Sequence, residues 1–252
     1  MKGTFFQKPL ELVLNIDGES WKQGDTISGN LNVFNRGAES ISLKDFGVRL
    51  SFGETKKIKV KDPNSFANYN EQLFEGPTNI SAGSEVSLSF NFPLAKNAPI
   101  SEKYKSLYLL CGHIDNPFEN GILELSILPC EVITNLFQVF ENLLRFKVKA
   151  LKNKQDCIEA TMVVPTSKEY TSVQQLKVLI RMVEDDLDID FNFKLKKISF
   201  EGGIVSTKDK KLQVKKILTP KEYLTYGDAF NQDMVLKLLQ EVIEEVKVKP
   251  II

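Results

Sequence analysis

The chain has 252 residues, of which 42% are hydrophobic and 26% charged, the balance of an ordinary globular protein. Basic and acidic residues number 33 each, so no overall field attracts nucleic acid or an acidic membrane surface. This length favours two domains with cores large enough to fold without a metal ion or a disulfide bond.

The sequence shows no signal for export or membrane insertion. Residues 1–7 contain no apolar run of signal-peptide length, and no later stretch reaches the roughly 20 apolar residues that span a bilayer. Cys111, Cys130 and Cys157 are odd in number and widely spaced, which favours reduced thiols over a disulfide framework. We therefore expect a cytoplasmic protein without an integral membrane segment.

The first half of the chain alternates apolar and polar residues with the period of two that is typical of half-buried strands. Residues 10–16 and 27–33 show this pattern on either side of a turn at Gly24. A later strand alternates up to Pro93, and residues 107–111 are apolar on both faces, as in a central strand. About seven such strands before residue 125 predict a β-sandwich domain.

A lysine-rich stretch interrupts this pattern. Residues 53–75 are polar and predict a solvated hairpin followed by a long surface loop. Lysines spaced two apart lie on one side of a strand, where they either block aggregation or form a docking edge for an anionic partner. Both interpretations stay open, and the candidate partner-binding residues are Lys56, Lys57, Lys59 and Lys61.

The period changes near residue 130, where Pro129-Cys130 marks the predicted junction between domains 1–129 and 130–252. Apolar residues at helical spacing predict a short amphipathic helix over 133–144, with Thr134 and Asn135 as candidate caps. Strands are predicted over 146–151, 173–182 and 187–195. Two further short strands, 204–206 and 212–217, are predicted around turns at 202–203 and 208–211.

The clearest helix of the chain is predicted over 231–246. Its apolar residues form two adjacent rows, while glutamates occupy the far side. This face either docks on its own domain or pairs with a second copy to form a homodimer. The candidate contact residues are Leu238, Leu239 and Val242.

The residues that could support catalysis or metal binding are few. The acidic run Glu184, Asp185, Asp186, Asp188 and Asp190 lacks the glycine and the spaced glutamate of a calcium loop, so it favours a solvated hairpin tip over a cation site. The Gly202-Gly203 pair is not followed by a phosphate-binding pattern.

One nucleophile–base pair is available, since His113 is the single histidine and Cys111 lies two residues before it. Same-face neighbours on a strand are about 6.5–7 Å apart, and no nucleophile elbow accompanies the pair. We therefore predict no enzymatic activity, no cofactor and no metal site.

Two ordered motifs of the first half resemble the arrestin-like superfamily. Residues 21–29, WKQGDTISG, resemble the early strand pair of that fold, and 90–93, FNFP, 98–101, APIS, and 107–109, LYL, resemble its later strand end, crossover and central strand. The second half is similar to the bacterial sporulation-control branch over 136–144, 158–164, 165–170 and 173–182. The resemblance implies two tandem arrestin-like β-sandwich domains with a short helix opening the second.

The resemblance has limits that affect the functional prediction. The ligase-docking Pro-Pro-x-Tyr motif is absent, and no strand matches the phosphate-sensing residues of visual arrestins. It implies a cytosolic regulatory scaffold or adaptor that binds proteins through strand edges, loops or the groove between domains. The alternative is a small-ligand or carbohydrate-binding sandwich that uses the aromatic residues Trp21, Tyr69 and Tyr104.

Overall fold

The protein is described here by a computed structural model that covers residues 1–75, 79–119, 121–201, 204–226 and 228–246. The chain divides into two compact units, Met1–Leu128 and Pro129–Ile252. Strands dominate both units, which confirms the predicted mainly-β class. Among the described residues, no helix has the length and apolar character needed to cross a membrane.

The N-terminal unit is a sandwich of two antiparallel four-stranded sheets. One sheet has the order β1-β2-β4-β9 and the other β11-β10-β6-β7, while β3 with β12 and β5 with β8 form two-stranded additions. The strands are β1 Lys2–Gln7, β2 Leu10–Ile16, β3 Trp21–Lys22, β4 Thr26–Asn35, β5 Ile41–Ser42, β6 Phe46–Glu54, β7 Phe66–Leu73, β8 Asn79–Ile80, β9 Glu85–Pro93, β10 Lys105–His113, β11 Gly121–Glu124 and β12 Ile127–Leu128.

The core of this unit lies between the two large sheets. Alternate residues of β2, among them Leu12 and Leu14, are fully buried, as the period of two predicts. They join Leu50 of β6 and Leu107 of β10 in one hydrophobic cluster. The central strand β10 is buried on both faces from Ser106 to Gly112, so its unbroken apolar run reflects its central place in the sheet.

The prediction for residues 53–75 was wrong in its secondary structure. Thr55–Lys59 forms a one-turn helix, α1, and Phe66–Leu73 forms the edge strand β7 rather than a surface loop. β7 pairs with β6, with a register shift between Leu50 and Ser51. Sequence analysis did not recognise β7 as a strand because its residues are mostly polar, and an edge strand of this kind buries little of its surface.

The C-terminal unit is built on one antiparallel five-stranded sheet with the order β13-β14-β15-β16-β17. The strands are β13 Lys147–Lys154, β14 Cys157–Val163, β15 Val173–Val183, β16 Asp186–Glu201 and β17 Ile204–Leu218. The helices are α2 Glu131–Gln138, α3 Pro220–Tyr223 and α4 Gln232–Glu244, with a π-helical turn at Val139–Leu143 and a 3₁₀ turn at Lys168–Tyr170.

Helical residues pack on the apolar face of this sheet. Phe140 of the π-helical turn lies 6.4 Å from Phe191 of β16 and 6.1 Å from Phe146, measured between ring centroids. Val178, Ile180 and Ile189 of the same face are fully buried. The opposite face carries charged residues that pair across strands, so the two faces of the sheet differ sharply in polarity.

Two details of the second half differ from the sequence predictions. The first helix starts at Glu131 after Cys130, with no side-chain cap, so Thr134 and Asn135 are not its caps; the Thr134 hydroxyl instead donates to the Cys130 carbonyl oxygen. The predicted turn at 208–211 is wrong because β17 continues through it, paired with β16 along its whole length. The predicted turn at Gly202-Gly203 lies outside the described residues.

The C-terminal helix turns its apolar face inward. Asn231 caps α4 by accepting a hydrogen bond from the Met234 amide, and the helix packs beside α2, α3 and the π-helical turn. Leu239 and Val242 are fully buried within their own unit, while Leu238 is half-buried. The structure therefore corrects the placement of Leu239 and Val242 on a partner-binding surface: both are enclosed by their own unit.

Candidate functional site

The four predicted lysines lie on and just after α1 and are exposed. This helix has no side-chain cap at Glu54, but its lysines sit near the carboxyl end, where positive charge complements the helix dipole. Lys61 ends the turn with a left-handed backbone, φ 53°, and its amide donates to the Ile58 carbonyl oxygen. The lysines therefore point outward from a turn, not along one side of a strand as predicted.

The connection between β9 and β10 brings a second basic segment to α1. The Thr55 amide donates to the main-chain oxygen of Tyr104 over 2.9 Å. The Lys56 ammonium lies 5.1 Å from the centroid of the Tyr104 ring, and the Lys103 ammonium lies 5.2 Å from the same centroid. One exposed tyrosine thus holds two positive charges by cation–π attraction.

The lysines on and after α1 and the basic segment around Tyr104 form a basic region, which we call the lysine surface. Val60 adds an exposed apolar side chain beside the charges, 75% accessible. Asp62 lies at its border, where one carboxylate oxygen accepts the Asn64 amide. The lysine surface comprises Lys56, Lys57, Lys59, Val60, Lys61, Lys103, Tyr104 and Lys105.

A packed layer underneath holds α1 in place. A Cβ atom on Gly53 would lie within 3.0 Å of the side chains of Tyr108, Ile58 and Phe66, so these three groups meet over the bare glycine. The Tyr108 hydroxyl is 3.2 Å from the Thr55 hydroxyl, and burial raises the pKa of Tyr108. The lysine surface therefore rests on the end of the sheet, which limits the movement of α1.

The two residues of the candidate catalytic pair have different surroundings. Cys111 is fully buried in the core, and desolvation raises its thiol pKa to about 12. His113 is partly exposed, and its Nδ1 accepts the Asp115 amide. A protonated, enclosed thiol cannot act as the nucleophile that a cysteine–histidine mechanism requires.

The acidic run lies at a hairpin, and one of its carboxylates, Asp188, is held in ion pairs. Glu184 has a left-handed backbone between β15 and β16, φ 56°. Asp188 Oδ2 lies 2.5 Å from Arg181 Nη2 and 3.2 Å from Lys215 Nζ, and hydrogen bonding to Asp188 raises the pKa of Arg181. Within the described ranges, no group of three or more His, Cys, Asp or Glu side chains is arranged to hold a metal ion.

The three aromatic residues of the ligand-binding alternative share no exposed face. Trp21 is buried in the core cluster, and Tyr69 is half-buried against the same cluster with its hydroxyl accepting the Ala95 amide. Tyr104 is exposed, but two lysines lie over its ring. Sequence reasoning missed Lys103 and Lys105 as neighbours of the other lysines, since only the pairing of β10 with β6 brings them together.

The two units, with this order of strands and helices, define a chain of the arrestin-like fold. A crystal structure of Spo0M, a sporulation control protein from Bacillus subtilis, is similar to this chain with a TM-score of 0.65. The match has 16% sequence identity and covers 94% of this chain and 98% of that one. No protein-family model and no curated protein matches the chain. The expected likeness to the sporulation-control branch is thus confirmed at the level of the fold.

Proposed function

We propose that this protein is a non-enzymatic regulatory adaptor that binds an acidic segment of a partner protein through the lysine surface. The observation that carries the proposal is the double contact on Tyr104, where Lys56 and Lys103 converge on one ring. Like charges repel, so their convergence favours occupation of the site by an anionic group. The adaptor would act in the cytoplasm, where its three cysteines, which form no disulfide bond, stay reduced.

The composition of the lysine surface suits a protein partner. Exposed Val60 and Tyr104 can contact apolar side chains, while the surrounding ammonium groups attract carboxylates. Aromatic residues are enriched at interfaces because a rigid ring contributes contact area at low entropic cost. Lysine charges at the rim would mainly raise the association rate and make binding sensitive to salt.

Charge reversal tests the proposal. The full-length protein and its Lys56→Glu, Lys57→Glu double variant would be crosslinked in the cells that produce it, and the crosslinked peptides mapped by mass spectrometry. The matched control is Lys2→Glu, Lys8→Glu, which changes the charge equally at exposed positions of the same unit. We expect an acidic partner segment crosslinked near residues 56–61 and 103–105 in the wild type and the control, and lost in the first variant.

Two results would overturn the proposal. One is an unchanged crosslink map in the Lys56, Lys57 variant. The other is a partner that binds equally well at about 0.05 M and about 0.5 M salt, because exposed charges are strongly screened at the higher concentration.

A further inference from the structure

A groove opens in the C-terminal unit at the end of β14. Its volume is about 930 Å³, within the range of roughly 300–1,000 Å³ that is typical of small-molecule sites. One wall is formed by residues 161–164, a second by residues 165–168, 170 and 171, and a third by the start of β15. The groove therefore lies wholly within the C-terminal unit and shares no residue with the lysine surface.

Two β-bulges flank this groove, one in each strand that pairs with β14. In β13 the register shifts between Val148 and Ala150, so Lys149 is the extra residue. In β15 the register against β16 shifts between Val173 and Gln175, so Gln174 is the extra residue. Both extra residues line the groove. Bulges re-aim side chains and are frequent beside functional sites, so two of them converging on one groove point to a shaped site.

The described lining of the groove carries an excess of positive charge. Three lysines line it, and none of the described lining residues is Asp or Glu. Lys194 is paired with Asp209 at 2.8 Å, whereas Lys149 and Lys168 have no carboxylate partner among the described residues. Hydroxyl and amide groups complete the lining: Thr161, Thr166, Ser167 and Gln175, besides Gln174, whose side chain bonds the Asp209 carboxylate, and Thr171, whose hydroxyl donates to the Lys168 carbonyl oxygen. Such donors suit the several oxygens of an oxyanion.

One side of the groove is apolar. Val163 is 46% exposed although it is a β-branched aliphatic residue, and it lies beside Val164 and Pro165. Tyr170 is held in place by an edge-to-face contact with Phe146, at 5.2 Å between ring centroids. A bare inorganic ion would leave this apolar wall in water, whereas a ligand with an organic part would cover it.

We propose that this groove binds a small organic oxyanion, a phosphate or sulphate ester, with its anionic group between Lys149 and Lys168 and its organic part on Val163 and Pro165. The lysine charges provide the attraction, and the hydroxyl and amide groups orient the oxygens. The apolar wall selects an ester over the inorganic ion.

Calorimetric titration of the full-length protein at low salt tests this proposal, with phenyl phosphate, phenyl sulphate and uncharged phenol as the probes. We expect one or both esters to bind and phenol not to bind. The Lys149→Gln, Lys168→Gln variant should bind the ester at least about tenfold more weakly, the loss typical of a charge-assisted hydrogen bond. The matched control, Lys147→Gln, Lys152→Gln, removes two exposed charges from the same strand outside the groove and should change Kd less than about twofold.

A comparison of the two esters identifies the anion, since tighter binding of phenyl phosphate indicates phosphate and tighter binding of phenyl sulphate indicates sulphate. Far-ultraviolet circular dichroism verifies that each variant is folded. The proposal is overturned if neither ester binds the wild type, if phenol binds as tightly as the esters, or if both variants lose affinity equally.

Discussion

Gly29 lies where two strands and an aromatic ring come too close for any side chain. A Cβ atom at this position would be 2.2 Å from the main-chain oxygen of Asn15 and 2.7 Å from Cζ of Phe90. The residue ends the WKQGDTISG motif that resembles arrestin-like chains, and it pairs with Ile16 on one side and Phe90 on the other. We predict that Gly29→Ala destabilises the N-terminal unit.

The size of the effect follows from these distances. Non-bonded atoms settle about 3.5 Å apart, so β2 would have to move by more than about 1 Å. Overpacking of this kind costs about 1–3 kcal/mol, and a displaced ladder hydrogen bond adds about 1 kcal/mol. We expect the free energy of unfolding to fall by about 3 kcal/mol, which lowers the urea midpoint by about 1.5 M.

Tryptophan fluorescence measures the loss of stability in the N-terminal unit. Trp21 is the single tryptophan of the chain and is buried in the N-terminal core, so its emission reports on that unit. Gly83→Ala is the control, because nothing lies within 4 Å of its added Cβ and only the backbone, φ +70°, opposes the change. That backbone strain costs about 1–2 kcal/mol. A loss for Gly29→Ala below about 1 kcal/mol would refute the reasoning.

Three further predictions concern the pH response, thiol reactivity and the C-terminal helix. A hydrogen bond from Lys177 at 2.9 Å lowers the pKa of Glu159 in the folded protein. The Glu159 carboxylate therefore stabilises the fold fully above its unfolded pKa of about 4.3. This contribution is lost as the pH falls through the lower pKa of the folded state. Wild type should therefore lose more stability than Glu159→Gln in urea titrations between about pH 6 and about pH 3, and parallel losses would contradict the prediction. Because the pKa of the Cys111 thiol is about 12, Cys111 should react with iodoacetamide in the native protein far more slowly than Cys157. Peptide mass spectrometry measures the labelling of each cysteine, and equal labelling of the two would contradict the prediction. Leu239→Ala should cost about 2–4 kcal/mol in the unfolding of the C-terminal unit, followed by calorimetry, and a cost below about 1 kcal/mol would mean that α4 packs loosely.

The strands that sequence analysis found are those with one buried face. β2 along its whole length and β15 after its bulge alternate buried with less buried residues, so burial left a period of two in the sequence. α4 was also predicted from the sequence, since its buried residues repeat with the helical period. β7 was missed because no residue in it is fully buried, and without burial there is no selection for an apolar period.

The candidate sites were less predictable than the fold. Local sequence showed that Lys56 and its neighbours are basic, but their secondary structure was wrongly predicted, because α1 depends on the Thr55 contact with Tyr104 some 50 positions away. The groove beside β14 was not predicted at all. Its two bulged residues, Lys149 and Gln174, are ordinary polar residues in the sequence, and only strand register shows that each is the extra residue of a bulge.

The amino-acid sequence by itself determined the mainly-β class, the positions of the central strands and the resemblance to arrestin-like chains. These features depend on short-range periodicity and on motifs such as that ending in Gly29, both of which are local. Only the tertiary structure decided that Leu239, Val242 and Cys111 are enclosed, and that separate lysines meet around Tyr104. The physical reason is that burial, desolvation and charge convergence depend on groups distant in the chain, whose positions are set when the sheets pair and pack.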